Sequence, residues 1–297
     1  MLKNWMLNRL RGEVKKVTGI EVPTNDNLVS LAGLKQVVIP SSLVFYQGKP
    51  IVRQYFAVQD QTIATKQQVL FLAASMVQKG QHSILQSLLH AAKESGIVTR
   101  EADMDTVEEM GSIGRLDRTM YVLGDEKMMA QQEIELGVTV QTLAHQFELD
   151  GKYTLFLAQR HPKRLLAIFA CEYELKPGCA DVITELRQLG VESILLTGVK
   201  TRIAKGLGNR LSVSLIHSEL SEQEKDRVVS GLVHQQPASA ILLGEDSRQS
   251  YPSQLTIGVE GQKGTITIPT LAELPLLMKS VQRGISEIRS KLPFSKL

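Results

Sequence analysis

The chain has 297 residues, 43% of them apolar and 22% charged, which excludes a largely disordered, collagen-like or low-complexity protein; at roughly 150 residues per domain it suggests two domains with sizeable cores. Its 34 basic and 31 acidic residues leave a formal charge of only +3, too even to imply nucleic-acid binding by itself. The two cysteines, Cys171 and Cys179, form no disulfide framework or C-x-x-C site, and the longest apolar run, Leu165 to Cys171, is far shorter than the roughly 18 residues of a membrane span.

Residues 1–17 place Leu2, Trp5, Met6, Leu10, Val14 and Val17 at helical spacing, with Lys3, Arg9, Arg11, Lys15 and Lys16 mostly off that stripe. Such a basic amphipathic helix can lie in a membrane interface or pack as an ordinary helix with a solvated basic face. Leu2, Trp5, Met6 and Leu10 are its candidate membrane or partner contacts. The β-branched run at 36–39, closed by Pro40, predicts a buried strand, and 51–58 a second. Helical periodicity covers 66–78 and 82–95. Residues 107–123 alternate like strands, 125–147 are mostly helical, and 152–158 and 164–171 form a strand pair across Gln159–Pro162. From 177 onward helices at 178–189, 200–209, 221–234 and 270–291 alternate with strands at 192–196, 212–216, 239–243 and 255–259. That alternation implies right-handed βαβ units and a parallel sheet. Strand 36–39 belongs to the same sheet by simple topology. The expected organisation is therefore the helix at 1–17, a discontinuous domain at 18–58 and 160–297, and an inserted domain at 59–159. Ligands of such sheets bind at the carboxyl ends of the strands.

Short segments in this order carry a specific likeness. They are Thr18–Val22, Gly48-Lys49-Pro50, Gly80-Gln81-His82-Ser83, Gly151-Lys152, Lys176-Pro177, Leu196-Thr197-Gly198, Glu224-Lys225, Leu243-Gly244 and Ile257-Gly258-Val259. In that sequence, from about residue 18 to 292, the chain resembles the phosphorylation and nucleotide domains of heavy-metal-transporting P-type ATPases, within the haloacid dehalogenase superfamily. The resemblance implies an α/β, haloacid dehalogenase-like Rossmannoid parallel sheet with an inserted α+β nucleotide-domain-like cap. It also implies where the chemistry should stand, and there the chain departs from the pattern. The family's D-K-T-G-T-L-T loop falls on Pro40 to Tyr46, with Pro40 at the nucleophilic aspartate. Val199 falls on the aspartate of T-G-D. In the last loop only the first acid survives, as Glu245, and the Asn-Asp pair is Arg248-Gln249. Phosphoryl transfer of this type needs an in-line carboxylate, Mg²⁺ and cations on the equatorial oxygens, and Mg²⁺ needs oxygen ligands in octahedral array. No aspartate between Asp26 and Asp60 can take over by a register slip.

Three weaker sites remain. Lys225 with Thr197 and Gly198 could bind an anion at helix N-termini, or Lys225 is a solvated first-turn lysine. His82, with Gly111 left from the family's G-x-G, could contact an adenine, or it simply starts a helix. Glu245 with Asp246 could hold a cation, although adjacent loop acids are more often solvated. No metal-ligand spacing and no Ser-His-Asp or Cys-His arrangement occurs. The expectation is a catalytically inactive pseudoenzyme of P-type ATPase fold, without cofactor, acting as a scaffold or regulatory interaction module. It would be cytoplasmic or peripheral on the cytoplasmic membrane face, with a protein partner near that membrane, no nucleic acid, and weak anionic-lipid contact through residues 1–17. The alternative is a non-hydrolysing nucleotide or phosphate sensor, with a divergent phosphatase as a third reading.

Overall fold

The structure, a computed structural model, describes residues 2–58, 65–79, 81–244 and 255–291, the side chains of 46–49 and 222 excepted. The chain opens with α1 (Leu2–Thr18) and α2 (Asn25–Ala32), the latter capped by the Thr24 side chain, which accepts the Asn27 N–H. Strand β1 (Gln36–Pro40) follows. Next come β2 (Phe45–Ala57), α3 (Lys66–Ser75), α4 (Ser83–Glu94), β3 (Asp103–Glu108), β4 (Gly111–Leu116), β5 (Thr119–Gly124), α5 (Glu126–Gln131), α6 (Val138–Leu149), β6 (Tyr153–Gln159) and β7 (Arg164–Leu175). The chain then runs through α7 (Cys179–Gln188), β8 (Glu192–Leu196), α8 (Thr201–Leu211), β9 (Leu215–His217), α9 (Glu222–Gln235), β10 (Ser239–Leu243), β11 (Leu255–Val259), β12 (Ile266–Ile268) and α10 (Glu273–Lys291).

These elements form two compact units, Met1–Phe45 with Leu175–Leu297, and Tyr46–Glu174. In the first, six parallel strands run in the order β12-β11-β10-β1-β8-β9. Residue Val37 pairs with Ala240 on one side and Ser193 on the other, so β1 is a central strand. All five of its residues are buried, as a parallel sheet covered on both faces requires. The two-residue period sorts them: Val37 and Ile39 join Leu31, Leu186 and Leu277 from α2, α7 and α10, whereas Val38 joins Val229 and Val233 from α9.

The second unit is a six-stranded sheet in the order β2-β7-β6-β5-β4-β3, antiparallel from β3 to β7. Leu155, Leu157 and Phe169 face α3 and α4, and Phe156, Ile168 and Ala170 face α5 and α6. The expected boundaries at 58/59 and 159/160 need correction. Residues 46–58 and 160–174 belong with the inserted unit, because β2 and β7 are rungs of its sheet.

The expected helix at 1–17 is present, and Leu10 and Val14 of the expected stripe are buried, joined by Leu7, while Leu2, Trp5 and Val17 are exposed. As a surface contact Leu10 is therefore wrong. Its side chain lies over Gly284 of α10, where a Cβ would stand 2.1 Å from Leu10 Cδ1. Strand β12 is an addition to the expected order, and the strand expected at 212–216 is displaced to 215–217 because α8 runs to Leu211 and ends on Ser212 at φ 57°.

Candidate functional site

Strand register decides which sequence-selected residues meet. Pro40 pairs with Leu196, so the end of β1 lies beside the Thr197-Gly198-Val199 turn that leaves β8. On the other side the end of β10 leads to Gly244, where a Cβ would come within 2.5 Å of Ser42 Oγ and 3.1 Å of Leu43 Cγ. The 3₁₀ turn Ser41–Leu43 thus folds across the sheet's carboxyl edge. Leu43 and Val44 are fully buried there, and Pro40 and Val199 are buried as well. Among the described residues, Pro40 and Val199 make this edge apolar at two positions where the resemblance expects carboxylates. Pro40 and Val199 offer no oxygen ligand from their side chains, so these strand ends do not fit Mg²⁺. Among the described residues no group of three or more His, Cys, Asp or Glu could hold a metal ion. Glu245, Asp246, Arg248 and Gln249 lie outside the described residues.

The Thr197 hydroxyl faces inward and is fully buried. Its Oγ1 accepts the Val199 N–H at 3.3 Å, its own N–H donates to His217 O, and its carbonyl accepts from Leu220 N. Gly198 is confined by Leu220 O, 3.2 Å from where a Cβ would be. The N-terminus of α8 is served by the chain itself: Glu219 Oε1 accepts the Thr201 N–H at 3.1 Å. Lys225 lies in the first turn of α9, half-buried and engaged. The helix-terminus dipole that would attract an anion on α8 is thus met by an internal carboxylate. The α9 terminus is closed by the Ser221–Glu224 capping box, whose hydrogen bonds hold the Glu224 carboxyl below its usual range.

Beneath the apolar turn, Cys179 Sγ lies 3.9 Å from Leu43 O, and Lys176 pairs with Glu260 at 2.6 Å. Burial pushes the Cys179 thiol up, with Lys176 opposing and Glu260 adding to the rise. A protonated thiol is a poor nucleophile.

In the inserted unit, His82 and Gly111 do come to one place. The His82 N–H donates to Glu109 O, and the ring Nδ1 accepts the Ile84 N–H at 3.2 Å as the cap of α4. The ring packs 6.1 Å from that of Tyr153, which meets Tyr173 edge-on, and Tyr173 Oη is 2.5 Å from Ser83 Oγ. Burial raises both tyrosines. Gly111 is a packing glycine, since a Cβ there would strike Leu123 O at 2.7 Å and Met128 Cε at 2.8 Å. Gln81, quoted above only as part of the Gly80–Ser83 segment, has a role that the sequence did not assign. Its buried amide donates to Glu108 O and Gly111 O and fastens the β3–β4 turn. An isolated glutamine before a helix carries no periodic signal that would have singled it out.

No protein-family model matches the chain. It is 23% identical over 279 residues to a copper-exporting P-type ATPase of Legionella pneumophila, covering 92% of this chain and 36% of that protein. It is 21% identical over 283 residues to a probable cadmium-transporting ATPase of Staphylococcus aureus, with 93% and 37% covered. The chain therefore spans little more than a third of the length of these curated relatives. Among solved structures, a zinc-transporting PIB-type ATPase in the E2.Pi state superposes with TM-score 0.73 at 18% identity, over 96% of this chain and 47% of that one. The catalytic domain of the CPx-ATPase CopB-B superposes with TM-score 0.59 at 16% identity, over 91% and 98%. In sequence and in fold the chain is thus similar to the soluble phosphorylation and nucleotide domains of heavy-metal-transporting P-type ATPases, a haloacid dehalogenase-like parallel sheet carrying an inserted domain.

Proposed function

We propose that this chain is a non-catalytic member of that structural group, an interaction module that keeps the fold and has lost the phosphoryl-transfer chemistry. It would bind protein partners and work peripherally at the cytoplasmic face of a membrane. The observation that carries the reading is the carboxyl edge of the parallel sheet. The position that the resemblance places at the attacking aspartate is a buried proline, Val199 in the turn after the paired strand β8 is aliphatic, and Leu43 and Val44 are buried in the turn that follows Pro40. A carboxylate nucleophile, its metal and its equatorial cations act as one unit, so losing several members together leaves no partial pathway.

The test is incubation with γ-labelled ATP and Mg²⁺. The expected result is no acid-stable, hydroxylamine-labile label on the protein, and incorporation of such label overturns the reading. The nucleotide-sensor alternative is separated by thermal unfolding. A ligand at 100 times its dissociation constant adds about 2.7 kcal/mol, and the engagement of the His82 ring as the cap of α4 beside Tyr153 supports the expectation that millimolar ATP leaves the transition unmoved.

A further inference from the structure

We infer that the end of the molecule where α1 begins and α10 finishes is a docking surface for an anionic phospholipid bilayer. The inference deepens the peripheral placement proposed above and stands independently of the loss of chemistry.

Helix α1 has two apolar sides with different fates. Leu7, Leu10 and Val14 are buried, and Leu10 occupies the space left by Gly284 on α10. The other side is left over. Leu2 and Trp5 are each 59% exposed, and Met6 is half-buried. The antiparallel pair encloses a groove of about 420 Å³ in which Leu2, Trp5, Met6 and Ile288 are apolar, with Arg9 and Lys291 and the paired acids Glu13 and Glu287 among its charged lining. Trp5 is the single tryptophan of the chain.

Charge selects the partner. At this end α1 contributes Lys3 and Arg9, and α10 contributes Arg283, Arg289 and Lys291, against Glu13 and Glu287. Glu13 is already paired with Arg9 at 2.9 Å, and Glu287 with Arg283 at 3.1 Å. The first turn of α1 holds no acid, whereas the last turn of α10 adds exposed Arg289 and Lys291. Arg9 lies 5.9 Å over the Trp5 ring, which couples a cation to the aromatic anchor. Tryptophan and leucine flanked by arginine and lysine suit the headgroup level of a bilayer, with rings at the acyl boundary and cations on phosphates. No described helix is long and apolar enough to cross, so the contact would lie on the surface. A second copy of the chain is disfavoured, because apposing two such patches brings like charges together.

Trp5 is a native probe for this contact. Its emission is followed while the intact protein is titrated with vesicles of phosphatidylcholine, with or without about one-third phosphatidylglycerol. The expected result is a blue shift and quenching by brominated acyl chains with the anionic vesicles only, lost in about 1 M salt, where the Debye length falls to roughly 3 Å. The double variant Arg289→Glu with Lys291→Glu changes two exposed residues and should weaken the vesicle titration several-fold, with unchanged circular dichroism. Absence of a shift with anionic vesicles, an equal shift with neutral ones, persistence in high salt, or indifference to the charge reversal overturns the inference. A shift that follows protein concentration without vesicles overturns it in favour of self-association. Label from ATP would sink the non-catalytic reading and leave this surface untouched, so the two failures are told apart.

Discussion

The His82 side chain can serve α4 only as a neutral ring, because Nδ1 must keep a lone pair for the Ile84 N–H. Burial holds its pKa below the ordinary imidazole value, and the charge of Glu109 opposes that shift without reversing it. As pH falls, the unfolded chain therefore takes up this proton before the folded one does. The stability linked to His82 is complete above the unfolded value, about 6.5, and is lost as pH drops below it through the depressed folded value. His82→Asn keeps a capping oxygen and removes the titration. Urea midpoints measured between about pH 7 and pH 5 should fall less steeply for the variant than for the parent chain. Parallel profiles would refute the assignment.

At the scale of elements, the α1–α10 contact turns on one missing methyl group. Gly284→Ala places a Cβ against Leu10, and overpacking of this sort costs about 1–3 kcal/mol. In a Leu10→Ala background the obstacle is gone. The same substitution should then stabilise by up to about 1 kcal/mol through helix propensity, a change of sign that a denaturant double-mutant cycle reads directly. A second pair ties β2 to β7. Glu172 is 3% exposed and accepts from Arg53 Nε at 2.7 Å, while Arg53 itself is half in solvent. Arg53→Met strips a buried carboxylate of its cation and should cost about 1–3 kcal/mol, at the low end of buried-pair losses because solvent reaches the arginine. An unchanged midpoint would mean that Glu172 draws its support elsewhere. These cases also mark the limit of sequence reading. The strands at 36–39, 192–196 and 239–243 were legible because short apolar runs bounded by breakers and alternating with amphipathic helices have few alternatives. The α1 core face was legible only at Leu10 and Val14. Residues 2, 5, 6, 7, 10 and 14 allow two neighbouring apolar stripes, and only the gap at Gly284 decides between them. Pro40 and the Thr197 turn could be set side by side from topology. The capping of α8 by Glu219, eighteen residues away, and the hold of Gln81 on the β3–β4 turn depend on tertiary approach that leaves no periodic trace.

For the molecule as a whole, the proposal concerns a unit of residues, and it predicts what a single restoration does. Pro40→Asp returns a carboxylate to the end of β1 but leaves Val199 as it is. Members of a catalytic unit contribute non-additively, so one member restored alone should yield no phosphoenzyme. The same substitution should have a cost that the apolar edge sets. The new carboxyl would replace a buried residue at the end of a strand buried along its whole length, where desolvation disfavours its charged form and raises its pKa. With the folded value above the unfolded one, the folded state binds the proton more tightly. The deficit against the parent chain should therefore be small at low pH and grow as pH rises through the raised value. Denaturant midpoints of variant and parent across that range give the slope, and γ-labelled ATP on the same samples gives the chemistry. A stable, labelled variant would mean that the edge still assembles a phosphoryl-transfer site and that Pro40 alone had silenced it. A pH-dependent deficit without label is what an edge repacked for stability rather than chemistry would produce.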